Sequence, residues 1–123
     1  MAGERELSRL LAALDPRLHV ERYSFGGTKD AALNDGDFAI VREAEGLTRI
    51  CPDPSGEWAR ISLGVHSSLD AVGLTAALSS RLAEAGISAN VVAAFHHDHF
   101  FVQWDRREEA LAALRGERRE DCA

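Results

Sequence analysis

No apolar run in this sequence approaches the roughly 20 residues that cross a bilayer, and no N-terminal stretch has the charged, apolar and small-residue layout of a signal peptide. A cytoplasmic protein with no membrane partner is therefore expected. Cysteine is scarce: Cys51 and Cys122 are the only two, and the second sits in a polar C-terminal stretch, so no disulfide framework is expected. There is no phosphate-binding glycine loop, no dinucleotide fingerprint and no H-E-x-x-H pair. Asn34-Asp35-Gly36-Asp37 lacks calcium-loop spacing, because Arg42 falls where the last ligand of such a loop belongs. Positive charge is not in excess either. The net charge is −6, and Arg106-Arg107 and Arg118-Arg119 are interleaved with Glu108, Glu109, Glu117 and Glu120. That pattern is a solvated face rather than a phosphate track, which argues against nucleic acid as a partner. Serines, histidines and acids are present, yet no spacing marks a catalytic triad, and no enzyme and no cofactor are expected.

What is present reads as one compact α+β unit of 123 residues, with 46% hydrophobic and 28% charged residues. "ERELSRLLAAL" (4–14) carries Leu7, Leu10, Leu11 and Leu14 at helical spacing, and Asp15-Pro16 stops it. "VERYSF" alternates as a strand, and "FAIVREAEGLTRICP" reads as a hairpin with strands near 38–43 and 47–51. Pro52, Pro54, Ser55 and Gly56 form the one linker-like stretch. Beyond it, "ARISLGVH" puts Ile61, Leu63 and Val65 on one face of a strand. "SSLDAVGLTAALSSRLAEAG" follows as a helix, with Ser67 and Asp70 spaced as a capping box and Gly86 as its stop. Two strands, "NVVAAFH" and "HFFVQW", lead to a last helix that Asp105 and Glu108 cap and Gly116 ends.

The β-α-β-β-α order is most of a ferredoxin-like unit: an antiparallel sheet with its helices on one face and its last strand missing. The N-terminal part is the natural supplier of that strand. The division expected is 1–56, a helix, strand and hairpin packing on the core; 57–116, the main domain; and 117–123, a disordered tail.

"HHDH" (96–99) is the most chemical-looking stretch. With His97-Asp98 at the turn, His96 opposes His99, Phe95 opposes Phe100 and Ala94 opposes Phe101. Val91, Ala93, Phe95, Phe100, Val102 and Trp104 then face the helices. The other face presents Val92, Ala94 and Phe101 among polar residues, an apolar island that favours a homodimer. His96 and His99, with His66 as a third ligand, form one metal-binding alternative; a polar hairpin tip is the other reading. "HSSLDAVG" (66–73) joins a strand to a helix start, where free N–H groups and the helix dipole attract a carboxylate.

The motifs "L.VHSSL.AVGLTAAL", "LA.AGIS.NVVA" and "HDHFFV" together resemble an ACT domain, with the nearest likeness to small stand-alone bacterial ACT-like proteins and the CASTOR-type modules of amino-acid sensors. The resemblance spans 57–115 strongly and 18–52 more weakly. It implies a non-catalytic regulatory module that binds an amino acid or related small carboxylate at a subunit interface. By position, the binding residues it implies are His66, Ser67, Ser68, Leu69, Asp70, Val72 and Gly73, facing Asn90 and Val91 of the paired unit. A protein-docking module with no effector is the rival expectation.

Overall fold

A computed structural model describes residues 6–117; Cys122, residues 4 and 5 of the expected first helix, and the expected tail after Glu117 lie outside them. Helix α1 spans Leu7–Ala12 and buries Leu10, with Leu14 just beyond it, while Leu7 and Leu11 pack alongside. It ends as Asp15 turns to a φ of 48° and releases the chain into β1, Pro16–Thr28. The remaining elements are β2 (Ala39–Glu43), β3 (Gly46–Pro52), β4 (Trp58–Leu63), α2 (Leu74–Glu84), β5 (Ala89–Ala93), β6 (Asp98–Gln103), a 3₁₀ turn at Trp104–Arg106, and α3 (Arg107–Leu114).

One sheet of order β2-β3-β1-β4-β6-β5 runs through both parts of the chain, and every neighbouring pair is antiparallel. The first half of β1 pairs with β4 (Leu18 opposite Ile61), which is where the missing closing strand belongs. Its second half pairs with β3 (Phe25 opposite Ile50), so the hairpin β2–β3 extends the sheet beyond it.

Strand alternation divides the interior in two. Ala59, Ile61 and Leu63 of β4 join Phe100 and Val102 of β6 under Leu10, Leu78, Leu82 and Leu114, so all three helices cover one face. Each of the larger side chains, the Leu, Ile, Val and Phe, stabilises the fold by about 1.5–3 kcal/mol relative to exposure. On the other face, Tyr23, Ile50 and Phe101 form a second buried cluster, joined by Phe38, Ala39, Trp58 and Val92.

Four expectations need correction. Residues 52–56 are no loose linker. The Asp53 N–H donates to the Arg22 carbonyl at 2.9 Å, Arg22 Nε donates to the Gly56 carbonyl at 2.7 Å, and a Cβ at Gly56 would lie 2.3 Å from the Tyr23 carbonyl oxygen. Only glycine lets this turn press onto β1. Second, α2 begins at Leu74 rather than Ser67: Gly73, at a φ of 95°, is its N-cap, and residues 64–73 form a loop. The Ser67/Asp70 spacing caps nothing because Ser67 bonds to Asp98 of β6 and Asp70 to Ser68 of the loop, and α3 likewise has no side-chain cap.

Third, the β5–β6 register differs by four residues from the expected one. Residues 94–97 form the loop, closed by Ala94 N–H donating to the His97 carbonyl at 3.2 Å, and Ala93 pairs with Asp98. Parity survives, so Val91 and Phe100 still face the helices, but Phe95 leaves the core and is 59% exposed. Fourth, the apolar island expected on the helix-free face is not open. Phe101 is fully buried there beneath Tyr23, Phe25 and Phe38, and Val92 and Ala94 are half-buried, so the island's largest side chain is covered by the chain itself.

Candidate functional site

The loop after β4 and the β5–β6 hairpin meet at one end of the sheet. Asp98, first residue of β6, is buried and accepts a hydrogen bond from Ser67 Oγ at 3.0 Å. This bond fastens the loop to the hairpin and explains why Asp98 lies in the sheet rather than at the turn. Ser68 Oγ donates to Asp70 and the Ala71 N–H to the Ser68 carbonyl, which keeps the loop compact. Between loop and hairpin lies a cleft of about 50 Å³, lined by Ser67, Ser68, Leu69, Ala71, Leu74, Thr75, Ala93 and Asp98. Thr75 and Leu74 open α2, which no side chain caps, so its first amide N–H groups lack intrahelical partners. The cleft therefore combines a helix N-terminus with a buried carboxylate.

Of the expected site residues, Ser67, Ser68 and Leu69 line the cleft; Asp70 and Gly73 belong to the same loop. Leu69 and Val72 stand 65% and 83% exposed. His66 meets the Phe95 carbonyl through Nε2 at 3.2 Å, on the outer side of the hairpin. Within the chain, Asn90 and Val91 do not line the cleft: Val91 packs in the helix-side core and Asn90 is exposed. The strand residues that do reach it are Ala93 and Asp98, and Asp98 was missed as a site residue because the sequence reading put it on the turn.

The histidines separate. His96 and His97 gather near His66, with ring centroids 6.1 and 6.5 Å away, whereas β6 carries His99 to the opposite face against Val92. The alternative ligand set is thus not assembled: His66 and His96 meet in the loops, while His99 sits within β6 opposite Val92. Among the described residues no group of three or more His, Cys, Asp or Glu side chains could hold a metal ion.

On that opposite face lies a cluster the sequence did not announce. Arg60 donates from Nε to the Tyr23 hydroxyl at 3.0 Å, and its two terminal nitrogens meet Nδ1 of His99 at 3.2 Å and Nδ1 of His19 at 3.1 Å. Nε2 of His19 lies 2.7 Å from Ser62 Oγ. A register shift in β1 between Leu18 and Arg22 makes this possible, because it lets both His19 and Tyr23 flank Arg60. The same bulge turns Val20 outward, 87% exposed. Burial first, then the Arg60 charge, lowers the His99 pKa from 6.5 to about 4, with His19 and His97 adding to the effect; the same two leading causes lower that of His19.

An acid-sensitive stability follows. Between pH 6.5 and about 4 the unfolded chain protonates His99 and the folded chain does not. Its contribution is complete above 6.5 and is lost as pH falls to about 4. Solvent screens part of the shift at this half-buried ring, so about 1–2 kcal/mol is expected. Urea unfolding of the wild type and His99→Asn across this range checks it: the variant should lose less stability on acidification. Parallel curves would refute the assignment.

An antiparallel sheet of this β-α-β-β-α order, closed by a strand from the N-terminal part and covered by helices on one face, defines a ferredoxin-like α+β module. ACT-domain family profiles match residues 55–116 and 2–64, and the chain belongs to the ACT-domain family, whose members are typically regulatory small-molecule-binding modules. Among solved structures, the Vibrio cholerae protein VC0802, described as of unknown function and a possible transport protein, is 42% identical, with a TM-score of 0.73 over 87% of this chain and 92% of that one. An Agrobacterium tumefaciens protein at 20% identity (TM-score 0.68, 84% and 87% coverage) shares the fold. So does the ligand-free regulatory subunit of aspartate kinase from Thermus thermophilus, at 10% identity, a TM-score of 0.65 and coverage of 87% and 99%. No curated protein sequence matches the chain. Among the described residues no helix is long and apolar enough to cross a membrane.

Proposed function

We propose that this protein is a non-catalytic regulatory module that binds an α-amino acid in the cleft between loop 64–73 and the β5–β6 hairpin. The observation that carries this is the pairing of opposite polarities within one cleft. The N-terminus of α2 at Leu74 and Thr75 suits a carboxylate, and the Asp98 carboxylate suits an ammonium group. A zwitterion satisfies both; a simple anion leaves Asp98 opposed to it. Membership of a family of small-molecule-binding regulators supports the same reading.

The cleft, at about 50 Å³, takes the polar head of such a ligand and leaves its side chain outside. Leu69, Val72 and Phe95 form an apolar rim at this end of the molecule. A second copy seated on that rim would close the site and bring its Asn90 and Val91 within reach of the ligand, so the homodimer is part of the proposal. A thermal-shift screen against the common amino acids tests it. A ligand at 100 times its dissociation constant stabilises by about 2.7 kcal/mol, which raises the midpoint by several degrees in a domain of this size. Light scattering should give about twice the 13.4 kDa chain mass. No shift with any amino acid from an intact dimer would leave the docking-module alternative in its place.

A further inference from the structure

A guanidinium has five N–H donors and no acceptor, so every group that Arg60 hydrogen-bonds must present an acceptor. Nδ1 of His19 and Nδ1 of His99 must therefore both be bare, and both rings are neutral with their proton on Nε2. In His19 that proton is donated to Ser62 Oγ. Phe38 closes the cluster from above. Its ring lies 5.2 Å from the guanidinium carbon, edge-on to His99 at 4.8 Å and to Phe101 at 5.1 Å. Phe38 ends the strap of residues 29–38, which has no helix or strand and crosses from β1 to β2. All three hydrogen bonds of Arg60 go to neutral groups.

We infer that Arg60, His19 and His99 form an acid-released latch under Phe38: protonation of either ring turns its bond to Arg60 into a clash of donors and frees Phe38, the end of the strap. A second positive charge would then stand about 3 Å from the guanidinium, at a half-buried site beneath the Phe38 ring. The surrounding charges do not offset it. From β1, Arg17 opposes protonation of His19 and Glu21 favours it more weakly than Arg60 opposes it. From the hairpin loop, His97 also opposes protonation of His99. The strap's Asp37 is held by Arg49 of β3 and is not available as a counter-charge. Arg60 on β4, with Tyr23 on β1, completes the set.

Histidine side-chain nitrogen NMR, with contacts from the Phe38 ring to Phe101, tests the latch between about pH 7.5 and 4. The comparison protein is the His19→Asn/His99→Asn double variant. Its amide oxygens fall near the Nδ1 positions, so it keeps both acceptors and cannot titrate. The wild type should show both rings with the proton on Nε2 at the upper pH. On protonation it should lose the Phe38–Phe101 contact, with at least about tenfold faster exchange of the Phe38 amide, corrected for intrinsic pH dependence. The double variant should keep both. A proton on Nδ1 at the upper pH overturns the proposal. So does a Phe38–Phe101 contact that survives protonation of both rings, or its loss at the same pH in both proteins, whether by local or global opening. None of these readouts requires the cleft to bind a ligand.

Discussion

Asp98→Asn is expected to weaken amino-acid binding about ten- to a hundredfold while shifting the melting temperature of the free protein only slightly. Asparagine keeps the size of the side chain, and its amide oxygen still accepts the Ser67 hydroxyl proton, so the tie between loop and hairpin survives. What is removed is the negative charge facing the ligand's ammonium group. A hydrogen bond to a charged group contributes about 1.5–3 kcal/mol, which converts to the stated loss. Alanine would be a poorer test, because it leaves the buried Ser67 hydroxyl without an acceptor and lets the loop drift. Calorimetric titration of wild type and variant with whichever amino acid shifts the wild type reads the difference directly. An unchanged affinity would mean that the ammonium group does not sit at Asp98. Preserved affinity for the amino acid but not for its amide would still place the carboxylate at the α2 N-terminus.

The fold was largely legible because its signals are local and periodic. Leu74, Leu78 and Leu82 recur on one helical face, and Ile61 and Leu63 alternate with Arg60 and Ser62; each pattern reports its own burial. The hairpin β2–β3 and the glycine stops at Gly86 and Gly116, both at positive φ, were visible for the same reason. The resemblance to ACT domains pointed to the same strand–helix loop, 66–73, that the helix start had already marked as a candidate. What failed was competition for side chains. Ser67 and Asp70 have cap spacing, but Asp98, thirty-one positions away, takes the Ser67 hydroxyl. That same contact draws Asp98 into β6 and so sets a register that turn chemistry alone did not give. The Arg60 cluster was invisible because its partners are remote in sequence, 41 residues to His19 and 39 to His99. Its assembly also depends on a strand irregularity between Leu18 and Arg22 that alternation rules read as continuous. The covered second face was missed because nothing in a loop-like stretch announces that its last residue, Phe38, will pack against Tyr23 and Phe101.

Arg49→Met should destabilise the protein by about 3 kcal/mol and concentrate the damage in the strap. Arg49 and Asp37 form an ion pair in which both side chains are almost fully buried. Arg49 also donates to the carbonyls of Asp30 at 2.8 Å and Ala32 at 3.1 Å, and Asp37 accepts the Asn34 N–H at 2.9 Å. One guanidinium thus gathers three points of a segment with no regular structure of its own. Removing it leaves the largely buried Asp37 carboxylate without a counter-charge, and leaves two backbone carbonyls short of a donor, so the loss exceeds that of an exposed pair. In Asp37→Asn/Arg49→Met the stranded charge is gone while the Asn34 contact can persist, so the double variant should lose less than the sum of the single variants. Urea unfolding of the four proteins measures the coupling, and strict additivity would show that the pair contributes nothing as a pair. Hydrogen exchange locates the effect: protection at Phe38, whose N–H donates to the Ile50 carbonyl at 2.8 Å, should fall more than protection in β4 or β6. The strap is therefore held at two places by opposite means. Arg49 grips it through an ion pair and two backbone carbonyls, and Arg60 holds its end through two imidazoles, so acid should free Phe38 first while Arg49 keeps the rest of the strap in place.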